Sequence, residues 1–340
     1  MGSAAFIKET PVRAQRRRVR ALGCRVWDED GEPRIDFDMG GGAVVLGHSH
    51  LVVEAAVADI PSDAETLAAG ELAALLPAAE AVRFTAEESQ GLPAAIAGAR
   101  RVTGRRRVLA WTLGAPIEVG EDLAAVVVDP LGADPTGLAA AREVADAAGA
   151  VLVFDEGWSG FRVHEHGAQG LSGVTADLCV HGASIANGRP IGAVAGRRDL
   201  IAALDENDLR APKPTSLAAA AATLHVLADH PVAPQLRVLG AELQAEVGRI
   251  IEASSGGRFF SLDGDPTLPA PLFAAPQLEG LWLREMANAG LIALGPHALC
   301  AAHGEAEVAR LIAAYAHIIP AMTAKGLLEA LLRRLPATYQ

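Results

Sequence analysis

The chain has 340 residues, 51% of them hydrophobic, and its 41 acidic against 29 basic side chains give a net charge of −12. That negative excess argues against a nucleic-acid surface, because phosphate binding needs a positive field. No apolar run approaches the roughly 20 residues of a membrane helix, and the opening MGSAAFIKETPVRAQRRR carries no apolar segment after its charges, so neither a spanning nor a secreted protein is expected and the cytoplasm is the expected compartment.

In chain order, CRVWDEDGEPRIDF (24–37) alternates apolar and polar residues about Asp30-Gly31 and reads as a hairpin. DMGGGAVVLGHSH is too rich in glycine for regular structure, and VVEAAVADI after it has helical spacing. LAAVVVDP (123–130) is a short apolar run ended by Asp-Pro; GLAAAREVADAAGA (137–150) has helical spacing and a glycine stop; VLVFDE (151–156) is a second apolar run ending in acids. Strand, helix and strand in that order predict a crossover in a parallel sheet, with Asp155 and Glu156 at the carboxyl end of a buried strand, where open α/β sheets place their ligands. A glycine-rich turn, HGASIANGRPIG, lies between strands predicted at 177–180 and 191–195. SLAAAAATLHVLADH and AELQAEVGRIIEASS read as long helices, and FFSLDG opens a tail of mixed strands and helices. Residues 1–45 with 236–340 are expected to form a small domain, and 46–235 a large one. Cys24, Cys179 and Cys300, odd in number and without metal spacing, read as reduced thiols. The arginine runs 16–18 and 105–107 read as solvated faces or salt-bridge partners.

GCRVWDEDGEPRIDFDMGGGAVVLGHSH, VRFTAEESQGLPAAIAGARRVTG, LVFDEGWSGFRV and GASIANGRPIGAVAGRR together resemble the class III aminotransferases, in particular their glutamate-1-semialdehyde aminomutase branch, over nearly the whole chain. The resemblance implies an α/β, fold-type I aminotransferase-like architecture: a large domain with a mainly parallel sheet, a small α+β domain from both chain ends, and a homodimer with sites at its interface. It also implies pyridoxal phosphate, held by a Schiff-base lysine.

At the matched positions this chain departs from the family. The lysine falls on Ala183, and the Ser-Gly-Thr phosphate cup at a helix N-terminus falls on Glu87, Glu88 and Ser89. The loop that carries the ring-stacking aromatic, expected after VLAW (108–111), is cut short; the branched residue under the ring falls on Gly157; and the partner subunit's phosphate-binding threonine falls near Leu209. Asp155, which would pair with the pyridine nitrogen, remains. Two carboxylates at the cup would repel a phosphate dianion, so the expectation is that pyridoxal phosphate is lost and no cofactor is used.

The candidate catalytic residues are then Glu87, Glu88 and Asp155, since clustered carboxylates raise one another's pKa, with His164 and His166, which follow the family's GFR motif, as proton shuttles. Candidate ligand contacts are Ser89, Glu156, Trp158, Ser184 and Asn187 in the lysine turn, and Lys213 on the loop that in the family reaches the partner's site. The plainer alternatives are that Glu87 and Glu88 are a charged first turn of a helix over 89–101 and that the histidines, His48 and His50 included, are structural. No spacing fixes a metal site. Three functions are compatible with this pattern: a cofactor-independent enzyme on a small polar metabolite in biosynthesis, a non-catalytic partner of an active aminotransferase, and an aminotransferase or aminomutase inactivated by lysine-to-alanine replacement.

Overall fold

Continuous apolar runs bounded by glycine or proline form strands buried on both faces, and they organise the molecule. The computed structural model describes residues 18–111, 122–132, 135–205, 209–254, 257 and 259–324. The N-terminal part contains β1 (Arg18–Leu22), β2 (Arg25–Asp28), β3 (Pro33–Asp36), α1 (Leu51–Ala58) and α2 (Ala64–Leu75). Then follow β4 (Ala81–Thr85), a 3-10 turn at Glu88–Gln90, α3 (Gly91–Thr103), β5 (Arg107–Trp111), β6 (Leu123–Val128), α4 (Pro135–Ala148) and β7 (Val151–Glu156). The short helices α5 (Gly160–Val163) and α6 (Gly167–Ser172) lead to β8 (Leu178–His181), a 3-10 turn at Ala183–Ala186, β9 (Gly192–Gly196) and α7 (Arg198–Ala202). The remainder is α8 (Pro214–Asp229), α9 (Ala233–Ala253), β10 (Phe260–Asp263), β11 (Ala270–Phe273), α10 (Pro276–Asn288), β12 (Leu291–Ile292) and α11 (Glu305–Ala324).

The main sheet has the order β4-β9-β8-β7-β6-β5. β5 to β8 run parallel, and β9 is antiparallel to both β8 and β4. The crossover expected over 123–156 is present as β6, α4 and β7, with α4 closed by Gly149 at φ +58°. The predicted strands about the glycine turn lie one residue later than expected, and the predicted hairpin is the β2–β3 pair. A second sheet, β1-β2-β3-β12, joins the two ends of the chain, with β12 parallel to β3.

Alternation along the buried strands divides the core. Val151, Val153, Leu178, Val180 and Val194 pack with Ala94, Ala95 and Ala99 of α3. Leu152, Phe154, Cys179, Ala193 and Ala195 join the larger cluster on the opposite face. The helix read from SLAAAAATLHVLADH is internal: Leu217, Ala218, Ala219, Ala220, Leu224 and Leu227 are buried in α8, which packs against α1 and α2. Arg162 ties the layers together from α5 by donating to the carbonyl oxygens of Gly42 (2.6 Å) and Leu299. Its burial lowers the guanidinium pKa to about 10. Cys24, Cys179 and Cys300 are free and buried. No described helix is long and apolar enough to cross a membrane.

Gly240 in the middle of α9 shows where packing overrides propensity. Alanine is worth about 1 kcal/mol more than glycine in a helix interior, yet a Cβ here would fall on the Pro266 carbonyl oxygen. Gly240→Ala is therefore expected to destabilise the protein by about 1–3 kcal/mol, the range for overpacking. Urea denaturation measures this; a raised midpoint would contradict the close approach.

Candidate functional site

The carboxyl ends of β6, β7 and β8 form the floor of the candidate site. Asp155 and Glu156 are consecutive on β7 and so project to opposite faces of the sheet. Asp155 lies on the α3 side and accepts a hydrogen bond from the Gly157 N–H at 3.3 Å. Burial raises its pKa, the Gly157 hydrogen bond opposes this, and the Asp129 charge at the end of β6 adds to the rise.

The chain leaving β4 crosses above this floor. Thr85 Oγ1 donates to the Glu87 carbonyl at 2.8 Å. Gly192 lets the crossing lie flat, since a Cβ there would sit 3.0 Å from that carbonyl oxygen and 3.1 Å from Glu88 Cα. Gly91 brings the start of α3 onto β8, where a Cβ would come within 2.7 Å of Val180 Cγ1. The Glu88 carboxylate then occupies a hollow made by two glycines: a Cβ on Gly157 would lie 2.7 Å from Glu88 Oε1 and 3.4 Å from Asp155 Oδ1, and one on Gly182 would lie 2.5 Å from Glu88 Oε2. Burial raises the Glu88 pKa, a backbone hydrogen bond from Ala183 opposes this, and the Asp155 charge adds to the rise. Glu87 turns the other way, pairing with Arg210 at 3.2 Å, and the Arg210 carbonyl accepts from the Ala86 N–H at 2.9 Å. Ser89 is exposed in the same 3-10 turn.

Glu88 and Asp155 are thus brought together, with Ser89 next along the chain, while Glu87 is directed outward. Trp158 is 49% exposed and lies over the glycine turn, 3.5 Å from where a Cβ on Gly42 would be. The other candidates are not in this group. Glu156 is buried on the opposite face, where it accepts from the Ala168 N–H at 2.8 Å and the Ser159 hydroxyl at 3.3 Å. His164 and His166 lie on that same side, in the α5–α6 connection that wraps Glu156. His164 Nδ1 accepts from the His166 N–H at 3.1 Å, and His166 Nδ1 is 2.9 Å from the Leu75 carbonyl oxygen. Asn187 is committed to the backbone: its carbonyl accepts from the Leu46 N–H at 2.9 Å and its amide donates to Gly47 at 2.8 Å. Ser184 Oγ is 3.1 Å from where a Cβ on Gly160 would be, directed at α5. Lys213 is an exposed residue at the N-cap of α8. His48 pairs with buried Asp36 at 2.9 Å, a structural contact.

Two contributors carry no sequence signal. Arg210 is a single arginine in a loop, and Asp129 reads as part of a strand-ending Asp-Pro. Leu209, at the position matched to a phosphate-binding threonine, packs against the α3-side core. The shortened loop after Trp111 lies outside the described residues. Among the described residues no group of three metal-ligating side chains occurs.

No protein-family model matches the chain. It is 30% identical over 278 residues to a glutamate-1-semialdehyde 2,1-aminomutase of Bordetella avium, covering 61% of this chain and 65% of that protein. It is 29% identical over 279 residues to the aminomutase of the same name from Syntrophobacter fumaroxidans, covering 62% and 64%. The chain therefore spans a little under two thirds of the length of these relatives. Among solved structures, a transaminase with PLP bound matches at 25% identity and TM-score 0.79, covering 92% of each chain. An omega-transaminase from Sphaerobacter thermophilus matches at 25% and 0.77, covering 89% and 90%. The fold is that of the fold-type I transaminases.

These matches correct the expectation that no cofactor is used, because the fold is shared with a transaminase that holds PLP. The side chains supply the physical reason. Glu87 is drawn outward to Arg210 and the Glu88 carboxylate is directed toward Gly157 and Gly182, so the two charges point away from each other. The residues present fit a vitamin B6 phosphate at its nitrogen end, through Asp155, and at its phosphate end, through Ser89, Arg210 and the helix N-terminus. At the aldehyde end Ala183 offers no amine.

Glu156 provides a test of this layout by pH. Burial raises its pKa to about 8, against opposing hydrogen bonds from Ala168 and Ser159, so the folded protein keeps a proton that the unfolded chain releases. Its contribution to stability is full below its ordinary pKa and drains away as pH rises toward about 8, with a slope of up to about 1.4 kcal/mol per pH unit. Glu156→Gln is expected to flatten that alkaline loss, read as denaturant midpoints between pH 5 and 8. An unchanged slope would contradict the buried, protonated carboxyl.

Proposed function

We propose that this chain, which has the fold of the fold-type I transaminases and is similar in sequence to the class III aminotransferases of the glutamate-1-semialdehyde aminomutase branch, binds a vitamin B6 phosphate reversibly and uses it in amino-group chemistry on a small polar metabolite. The observation that carries this reading is Asp155, an acid at the end of a central parallel strand with Glu88 and the start of α3 beside it.

The parts of the site have separate tasks. Asp155 pairs with the pyridine nitrogen and holds a proton on it. Ser89, Arg210 and the N–H groups at the start of the 3-10 turn receive the phosphate, with the helix end favouring negative charge. Trp158, which follows Gly157 in the chain and lies against the Gly41–Gly42 turn, borders this strand end. The cofactor, when bound, supplies an electron sink for charge developed on a substrate carbon. Because residue 183 is alanine, the cofactor is held by these contacts without a covalent bond from that position.

We also infer a homodimer. α1 buries only Val53 among its residues, while Leu51 (82%) and Val52 (46%) of α1, Ile60 (40%) of the connection and Leu67 (43%) of α2 are exposed. Exposed large apolar side chains concentrated in this stretch of chain support an association surface. Light scattering is expected to report twice the chain mass at micromolar concentration, and Leu51→Glu with Val52→Glu to shift it to the monomer. A monomeric parent protein would refute this.

For the site, equilibrium dialysis with pyridoxamine phosphate is expected to give saturable one-to-one binding that is reversed by further dialysis. Borohydride treatment in the presence of pyridoxal phosphate should leave the peptide containing Ala183 unlabelled. Asp155→Asn removes a charged hydrogen bond worth about 1.5–3 kcal/mol, so its Kd should rise about ten- to a hundredfold. Absence of saturable binding, or full affinity in Asp155→Asn, would overturn the proposal.

A further inference from the structure

We infer that Glu88 receives the amine of the bound vitamin, so that this pocket takes the amine form in preference to the aldehyde. This rests on the reading of the site as a vitamin B6 pocket and adds to it which form is selected and by which residue.

Glu88 reaches the floor of the site from the β4–α3 crossing. Its carboxylate lies between Gly157 and Gly182, two positions that lack the side chain needed to exclude it. The carboxylate therefore stands beside Gly182, next to Ala183, whose side chain offers no amine to an aldehyde. The side-chain charge that acts on it is the neighbouring carboxylate of Asp155; among the described residues no arginine or lysine makes an ion pair with it.

The chemistry of the acceptor decides the ligand. An ionised carboxylate offers lone pairs and no donor. Facing an aldehyde oxygen it sets acceptor against acceptor, whereas facing a protonated amine it makes short, charge-assisted hydrogen bonds, about twice as strong as neutral ones. A cation placed here also relieves the repulsion between Glu88 and Asp155. Glu87 does not compete for this role, because its carboxylate is drawn outward to Arg210.

Three ligands separate the possibilities: pyridoxamine phosphate, pyridoxal phosphate, and 4′-deoxypyridoxine phosphate, which has neither amine nor carbonyl. Each is titrated calorimetrically into the full chain and into Glu88→Gln and Glu88→Asp, with a thermal melt of each variant to check folding. In the parent protein the amine form is expected to bind at least tenfold more tightly than the deoxy compound, and the aldehyde no more tightly than the deoxy compound. Glu88→Gln should bring the amine and deoxy affinities within about threefold of each other, while Glu88→Asp, which keeps the charge, should retain part of the preference. Deoxy binding with no amine preference in the parent, or an amine preference unchanged in Glu88→Gln, would overturn the inference and leave the vitamin B6 reading standing. Failure of all three ligands to bind would overturn both. Should Glu88→Gln fail to fold, loss of preference in Glu88→Asp relative to the parent supports the inference, and full retention of the parent's ratio by that shortened side chain overturns it.

Discussion

The candidate site depends on the absence of two β-carbons. With a side chain at 157 or 182, the Glu88 carboxylate could not enter the floor between β7 and β8. It would then stand at the N-terminus of α3 beside Glu87, where two negative charges would oppose any phosphate. Because both positions are glycine, one carboxylate sinks toward Asp155 and the other swings to Arg210, and the helix start is left to Ser89. Gly91 and Gly192 extend the same principle, since each lets a backbone segment approach a neighbouring strand more closely than a side chain would allow.

The alternation of β7 imposes a second division. Asp155 and Glu156 differ by one position, yet one meets the α3-side cleft and the other is walled in by α5 and α6. The same buried strand end therefore supplies a titratable group to the site and a protonated strut beneath it. His181, paired in register with Glu156 on the neighbouring strand, belongs to the strut side. It stacks on Phe161 at 5.3 Å, and burial lowers its pKa to about 4. Polar residues on that face are enclosed by α5 and α6, while those on the other face are directed toward α3.

Much of the architecture was legible because buried parallel strands announce themselves. LAAVVV and VLVFDE are unbroken apolar runs, and the helix between them ends at a glycine. AVRFT and RVLAW mix charge into five residues, and β12 has only two residues, so their pairing comes from tertiary context rather than pattern. At the site, Asp155 could be read from its position as a strand-terminal acid. The direction taken by Glu88 could not, because the hollow that accepts it is made by glycines roughly 70 and 95 positions further along the chain, brought together only by the fold. The error over the cofactor had the same origin: a count of carboxylates at matched positions carries no information about where each points. His164 and His166 were misplaced because they follow the strand closely in sequence while the chain has already turned to its other face.

The account rests on one physical claim, that the cleft at the ends of β7 and β8 holds a vitamin B6 phosphate between Asp155 and the start of α3. A crystal structure of the chain grown with pyridoxamine phosphate measures this most directly. The account predicts ring density with its nitrogen within hydrogen-bond distance of an Asp155 oxygen and its phosphate at Ser89 and Arg210. Density elsewhere on the molecule, or a cleft that stays free of the ligand at saturating concentration, would contradict it.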